Sequence, residues 1–313
     1  MRLVLHLLGV LTTIAWPSMA VASDDRTIYH VYFLGGQSNM DGYGFNADLP
    51  KSLKKPQENV LIFHGKTVED GTDQGGIGKW VKLSPGHGTG FDTDADNLML
   101  TERFGPELSF GHAVSKAQNG KNVAIIKYSR GGTGLIDGVS GYGSWDPDYA
   151  KKNRRNQYDN ALTAIDQAMG ISDIDGDGKA DVLVPAAIIW MQGEADAYDN
   201  EAAATNYDRN LKRLMDLFRA AFRSDDLPVV IGQIQDSGST PETRVMTFAR
   251  EVQTAQHDFI KNDPCAAIVT ATEDFTFLPD RWHYQSDDYV TLGKAFAEKA
   301  IELQANCGGA DRP

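Results

Sequence analysis

Basic side chains are scarce in this chain. Thirty lysines and arginines stand against 43 aspartates and glutamates, a formal net charge of −13 over 313 residues. No basic stripe is present either, so nucleic acid is excluded as the expected partner and a neutral or polar ligand fits better. Long apolar runs are missing beyond the extreme N-terminus, and no later segment approaches the ~18 apolar residues of a spanning helix. Cysteine is rarer still: Cys265 and Cys307 are the only two, enough for one bridge at most. Internal repeats and low-complexity tracts are absent, which excludes a repeat architecture.

What is present begins with a targeting pattern. Arg2 supplies a positive start, Leu3 to Trp16 is a short apolar stretch, and Ala20-Val21-Ala22 is a small-x-small cleavage site. Residues 1–22 read as a signal peptide, and residues 23–313 as a single domain destined for the outside of the cytoplasm, secreted or periplasmic, with no membrane attachment after cleavage.

Along that domain short apolar runs alternate with helical patterns. Strands are predicted at 27–34, 123–128, 186–191, 228–234 and 266–271, and helices at 107–118, 156–169, 200–223, 243–261 and 287–306. In the third helix Leu211, Leu214, Met215, Phe218 and Phe222 recur at three- and four-residue steps, the stripe of an amphipathic helix. Such alternation implies an α/β fold with a mostly parallel five-stranded sheet covered on both faces. Cys265 precedes the last strand and Cys307 ends the helix that follows, so both belong at the sheet's amino edge and form the expected bridge. The glycine- and aspartate-rich stretch from His64 to Thr101 reads either as a loop bordering the site or as a small hairpin layer.

Ligands of such sheets bind beyond the carboxyl ends of the strands, and this rule sorts the chemistry. The run Val31-Tyr32-Phe33-Leu34 ends in Gly35-Gly36-Gln37-Ser38, which presents one hydroxyl at a strand tip. Arg130-Gly131-Gly132-Thr133 follows the second predicted strand, Gln192-Gly193-Glu194 the third, and Asp280 and His283 the fifth. Serine needs a base and an orienting acid to act as a nucleophile. Of the seven histidines, His283 alone has a carboxylate placed to orient its ring at that edge: Asp280, three residues earlier in a proline-containing loop. Acyl transfer also needs donors for an oxyanion; Gly131 or Gly132 suits, with the N–H of Ser38 and the side-chain amide of Gln192 as a third. Together these imply a serine esterase, with no cofactor needed for catalysis.

The blocks Gly36-Gln37-Ser38-Asn39-Met40, Gly105-Pro106-Glu107, Gly131-Gly132-Thr133, Trp190-x-Gln192-Gly193-Glu194-x-Asp196 and Asp280-x-x-His283 resemble the ordered blocks of the SGNH hydrolases. They are most similar to the carbohydrate-esterase branch containing sialate O-acetylesterases and family-six acetylxylan esterases. The resemblance spans nearly all of the chain after residue 22. It implies a flavodoxin-like three-layer α/β/α fold and removal of O-acetyl groups from carbohydrate, with Ser38 as nucleophile, His283 as base and Asp280 as its partner. It also implies that Gln192 stands where the superfamily often has an asparagine donor, and that Glu194 supports the site or assists His283.

One segment departs from that family pattern. Asp173, Asp175, Asp177, Lys179 and Asp181 occupy positions 1, 3, 5, 7 and 9 of a loop with Gly178 at position 6, the spacing of a calcium loop. Val184 stands at position 12, where an EF-hand has its glutamate, so the expectation is a stand-alone structural Ca2+ turn. Tyr142, Trp145 and Trp282 are expected near the site, where flat aromatic faces suit sugar C–H surfaces. Two other functions share the scaffold: a non-catalytic glycan-binding protein, disfavoured because no triad member is missing, and a lipase or thioesterase, disfavoured because the loops are polar and glycine-rich.

Overall fold

A computed structural model describes residues 26–94 and 96–307. The expected signal peptide, residues 1–22, lies outside the described residues. Seven strands form the main sheet: β1 (Ile28–Gly36), β2 (Val60–His64), β3 (Trp80–Lys82), β4 (Asn122–Ser129), β5 (Val182–Met191), β6 (Val229–Gly232) and β7 (Ala266–Val269). Their order is β7-β6-β5-β1-β4-β2-β3, parallel throughout except for β3, which runs antiparallel to β2. The sheet therefore has seven strands rather than the expected five. The added pair lies on the side of the segment that sequence left undecided, and β2 was hidden by the brevity of its apolar run.

β1 sits in the middle because it can be buried on both faces. Its neighbours Tyr32 and Phe33 are both fully buried, and successive strand residues point to opposite sides. Among the described residues the α-helices are α1 (Ser38–Asp41), α2 (Glu107–Ala117), α3 (Gln157–Gly170), α4 (Glu194–Ala197), α5 (Glu201–Thr205), α6 (Tyr207–Ala221), α7 (Ala249–Asn262) and α8 (Ser286–Gln304). Tyr32 meets Phe110 of α2 edge-on at 5.2 Å and hydrogen-bonds Gln304 of α8. Phe33 meets Phe218 of α6 at 4.9 Å. One strand thus nails helices to both faces of the sheet, making three layers; each such aromatic contributes about 1.5–3 kcal/mol by burial.

Two helices differ from expectation for local reasons. The predicted helix 200–223 is split: Asn200 caps α5 through the Ala203 N–H, and Asn206 breaks the chain before α6 with φ −101° and ψ 8°. The stripe Leu211, Leu214, Met215 and Phe218 lies buried in α6 as read. The helix predicted from 243 begins only at Ala249. The Asp236 carboxylate gathers the N–H groups of Gly238, Val245 and Met246, so the intervening backbone is satisfied as a loop instead.

Cys265 and Cys307 are joined in a disulfide with their Cα atoms 5.6 Å apart, tying the start of β7 to the end of α8. Below the site, Lys127 of β4 is fully buried against Glu107 of α2 at 2.7 Å and donates to the carbonyls of Asp41 and His87. A buried charge left without such partners is strongly unfavourable, so this ion pair ties β4, α2 and α1 together.

Candidate active site

The register places the site. Gly36 of β1 pairs with Ser129 of β4 and with Met191 of β5, so three central strands end level and release their loops at one edge. Gly36 has φ +143°, and a Cβ there would fall 2.0 Å from the Met191 carbonyl oxygen. Only glycine allows that approach, and the next N–H, that of Gln37, donates to that same carbonyl at 2.9 Å. The turn delivers Ser38 to the first position of α1, 7% exposed. The Gln37 side-chain oxygen accepts from the N–H groups of Gly193 and Ala195, locking the turn to the loop after β5.

Beyond these strand ends lies a cavity of about 650 Å³, lined by Ser38, Gly131, Gly132, Tyr142, Trp282 and His283 among others. The Asp280 carboxylate accepts from His283 Nδ1 at 2.8 Å and from the N–H groups of Trp282 and His283. The aspartate therefore fixes both the ring and the turn carrying it. Burial tends to raise the Asp280 carboxyl, but these three bonds outweigh it and hold it below the usual carboxylate range. Burial is the larger influence on His283: its pKa is lowered, with Asp280 opposing. With Nδ1 committed to the aspartate, Nε2 is the nitrogen left for chemistry in the cavity. Ser38 and His283 share that cavity without a direct hydrogen bond.

Gly131 approaches Ser38 so closely that a Cβ on it would lie 3.3 Å from the serine Cβ. A side chain there would crowd the hydroxyl. Asp41, one helical step beyond Ser38, lines the same cavity. Its carboxyl is raised by burial, against hydrogen bonding from the Ser129 hydroxyl and the nearby Lys127, Arg130 and Gly131 N–H. The Gly131 N–H is therefore turned toward Asp41, while Ser38 and Gly132 line the cavity beside it.

Three sequence expectations need correction or refinement. Gln192 is fully buried, and its amide nitrogen donates to Thr133 O at 2.9 Å and Asp196 Oδ2 at 2.6 Å. Both of its N–H bonds are committed, so it is not an oxyanion donor. Trp145 is fully buried; its indole N–H donates to Thr133 Oγ1 and its ring packs edge-on against Trp190 at 4.9 Å. It is core, not a sugar platform, whereas Tyr142 at 63% exposure and Trp282 do border the cavity. Glu194 does not reach His283. It accepts from Asn39 Nδ2 at 2.7 Å, and the same nitrogen donates to the Trp282 carbonyl, while Tyr289 of α8 donates to Asn39 Oδ1. Glu194 thus braces Asn39, which tethers the His283 loop to the helix bearing Ser38. Burial raises the Glu194 carboxyl, and that of Asp196 to about 7.

Sequence reasoning missed Asp41, Tyr43 and His64 and placed Arg130 at this edge without giving it a role; all four line the cavity. The signal for Asp41 was present: a residue three positions after Ser38 shares its helical face. Far from the cavity, the carboxylates of Asp173, Asp175 and Asp177 come within 4.8 Å of one another. Asp181 is turned aside, accepting from the Ile174 N–H at 2.7 Å, and Lys179 donates its N–H to Asp177.

A family model described as "Carbohydrate esterase, sialic acid-specific acetylesterase" matches residues 28–302. No curated protein matches the chain. Among solved structures, a protein from Arabidopsis thaliana superposes with TM-score 0.60 at 18% identity, covering 87% of this chain and 98% of that one. A carbohydrate acetylesterase from Xanthomonas citri gives 0.57 at 17% identity, over 88% of this chain and 57% of that one. The protein NanS gives 0.58 at 14% identity, over 90% and 98%. At these identities the likeness is one of fold.

Proposed function

Because this chain belongs to the sialic acid-specific acetylesterase family of carbohydrate esterases, we propose that it removes O-acetyl groups from sugars through Ser38, His283 and Asp280. The observation that carries this reading is the meeting of Ser38 with the Asp280-anchored His283 ring at one cavity. Ser38 Oγ attacks the acetyl carbonyl while His283 Nε2 takes its proton. The carbonyl oxygen becomes an oxyanion facing the N–H groups of Ser38 and Gly132. The C–O bond to the sugar breaks, His283 returns the proton to the departing sugar oxygen, and an acetyl-serine remains. Water, deprotonated by the same imidazole, releases acetate. Each oxyanion donor in such a site contributes on the order of 3–4 kcal/mol to the transition state.

The family description makes O-acetylated sialic acid the first substrate to assay, with acetylated xylan beside it. Ser38→Ala is expected to abolish acetate release from both sugars and from p-nitrophenyl acetate while leaving the circular dichroism spectrum unchanged. A folded Ser38→Ala variant that keeps most of its turnover removes the nucleophile assignment.

Two further proposals concern the setting. The pattern of residues 1–22 supports export, and among the described residues no helix is long and apolar enough to cross a membrane. The clustered carboxylates of Asp173, Asp175 and Asp177 are hard oxygen donors with mutual repulsion that a divalent cation relieves, which supports a structural calcium at the turn.

A further inference from the structure

The His283 ring is not free to turn in its cavity. Tyr43, five residues after Ser38, lies flat against it, with ring centroids 3.4 Å apart and planes within 5°. Tyr43 is itself fixed. Arg103 donates to its carbonyl oxygen and stands 3.5 Å above the ring of Phe45, and Gly44–Phe45 pairs with Arg103–Phe104 in a short antiparallel ribbon. The Tyr43 hydroxyl meets the Thr89 side chain.

The geometry of this stack has a preferred charge state. Two neutral aromatic rings favour offset or edge-on contacts with centroids ~4.5–7 Å apart, because their faces carry like quadrupoles. A face-to-face sandwich suits a neutral imidazole poorly. It suits an imidazolium well, since an aromatic face attracts a cation. In the reaction set out above, His283 is imidazolium only while it holds the proton taken from Ser38 or from water. An interaction that strengthens as that proton arrives favours the transition state over the ground state.

We propose that Tyr43 is the positioning residue of the catalytic base: its ring fixes the imidazole plane and stabilises the protonated form in both halves of the reaction. The inference rests on the assignment of His283 as base. The other charged groups facing that ring are Asp280 and Asp41, which favour its protonated form, and Arg103, which opposes it. All three are retained in every variant below, so a difference among variants reports the aromatic face.

The test is the kinetics of p-nitrophenyl acetate hydrolysis across pH. Tyr43→Phe keeps the face and is expected to hold kcat, KM and the acid limb near wild type. Tyr43→Leu removes it; kcat is expected to fall about three- to tenfold with KM little changed, and the acid limb of kcat/KM to move to lower pH. Unchanged kcat and limb in the leucine variant overturn the proposal, as does a phenylalanine variant as impaired as leucine. Should Tyr43→Leu fail to fold by circular dichroism, Tyr43→Met carries the same readouts. In the wild-type protein, the His283 Cε1 proton must resonate upfield of an unstacked histidine; an unshifted signal also overturns the proposal. Retention of activity in His283→Ala would instead remove the base assignment, a separate failure.

Discussion

His283 is governed by two opposed influences, and under the proposed role of its ring as base their balance sets the acidity at which activity is lost. Burial penalises its charged form and Asp280 favours it; burial is the larger, so the folded-state pKa lies below the ordinary 6.5. A base is competent while neutral, so activity persists as pH falls through 6.5 and is lost only as pH passes through the lowered value. The acid limb of kcat/KM for p-nitrophenyl acetate is therefore expected below 6.5. Replacing Asp280 by Asn removes the favourable charge, which moves the limb lower still and cuts kcat on the order of 10³–10⁴-fold through loss of the oriented tautomer. A wild-type limb at or above 6.5 contradicts this account. Ser38, Asp280 and His283 were legible because their positions at strand ends and their spacing restrict what they can reach. Gln192 was misplaced because a strand end gives the edge of a sheet but not the direction of a side chain there, and Trp145 because its loop folds back into the core. Inward-facing Gln192 spends its amide on Thr133 and Asp196.

Elements were legible where periodicity was long and hidden where side chains overruled it. The stripe of α6 was read from its spacing, and the capping box of Asn156 and Asp159 starts α3 within one residue of the predicted position. The start of α7 was not, because Asp236 satisfies from a distance the N–H groups that a helix would have used. The turn from Asp173 to Asp181 was readable as a spacing, and its three clustered carboxylates make a prediction at this scale. Calcium added to chelator-treated protein is expected to raise the melting temperature, while esterase turnover in chelator persists, since the turn is remote from Ser38. Melting that is indifferent to both calcium and chelator eliminates the site.

At the scale of the whole molecule, the parallel sheet follows from alternating runs and helices, whereas its full width did not, because the apolar run of β2 is short and β3 lies in a stretch without strong patterning. The Cys265–Cys307 bridge closes a separation of 42 residues, worth about 4 kcal/mol in the chain-entropy account. Reduction, or the Cys265→Ser and Cys307→Ser pair, is expected to lower stability in urea by that much and to steepen the slope, because the denatured chain loses its cross-link. Coincident curves with and without reductant rule out that contribution. The bridge also secures α8, whose Tyr289 steadies Asn39 beside Ser38.

Ser38 and His283 lie 245 residues apart in the chain, and that distance has a consequence during biosynthesis. Another 245 residues must be synthesised after Ser38 before His283 can join it, and α8 must still emerge and dock. If Ser38 and His283 act as proposed, products that stop short of α8 are expected to release no acetate from acetyl esters, and acetate release by such a truncated chain contradicts that reading.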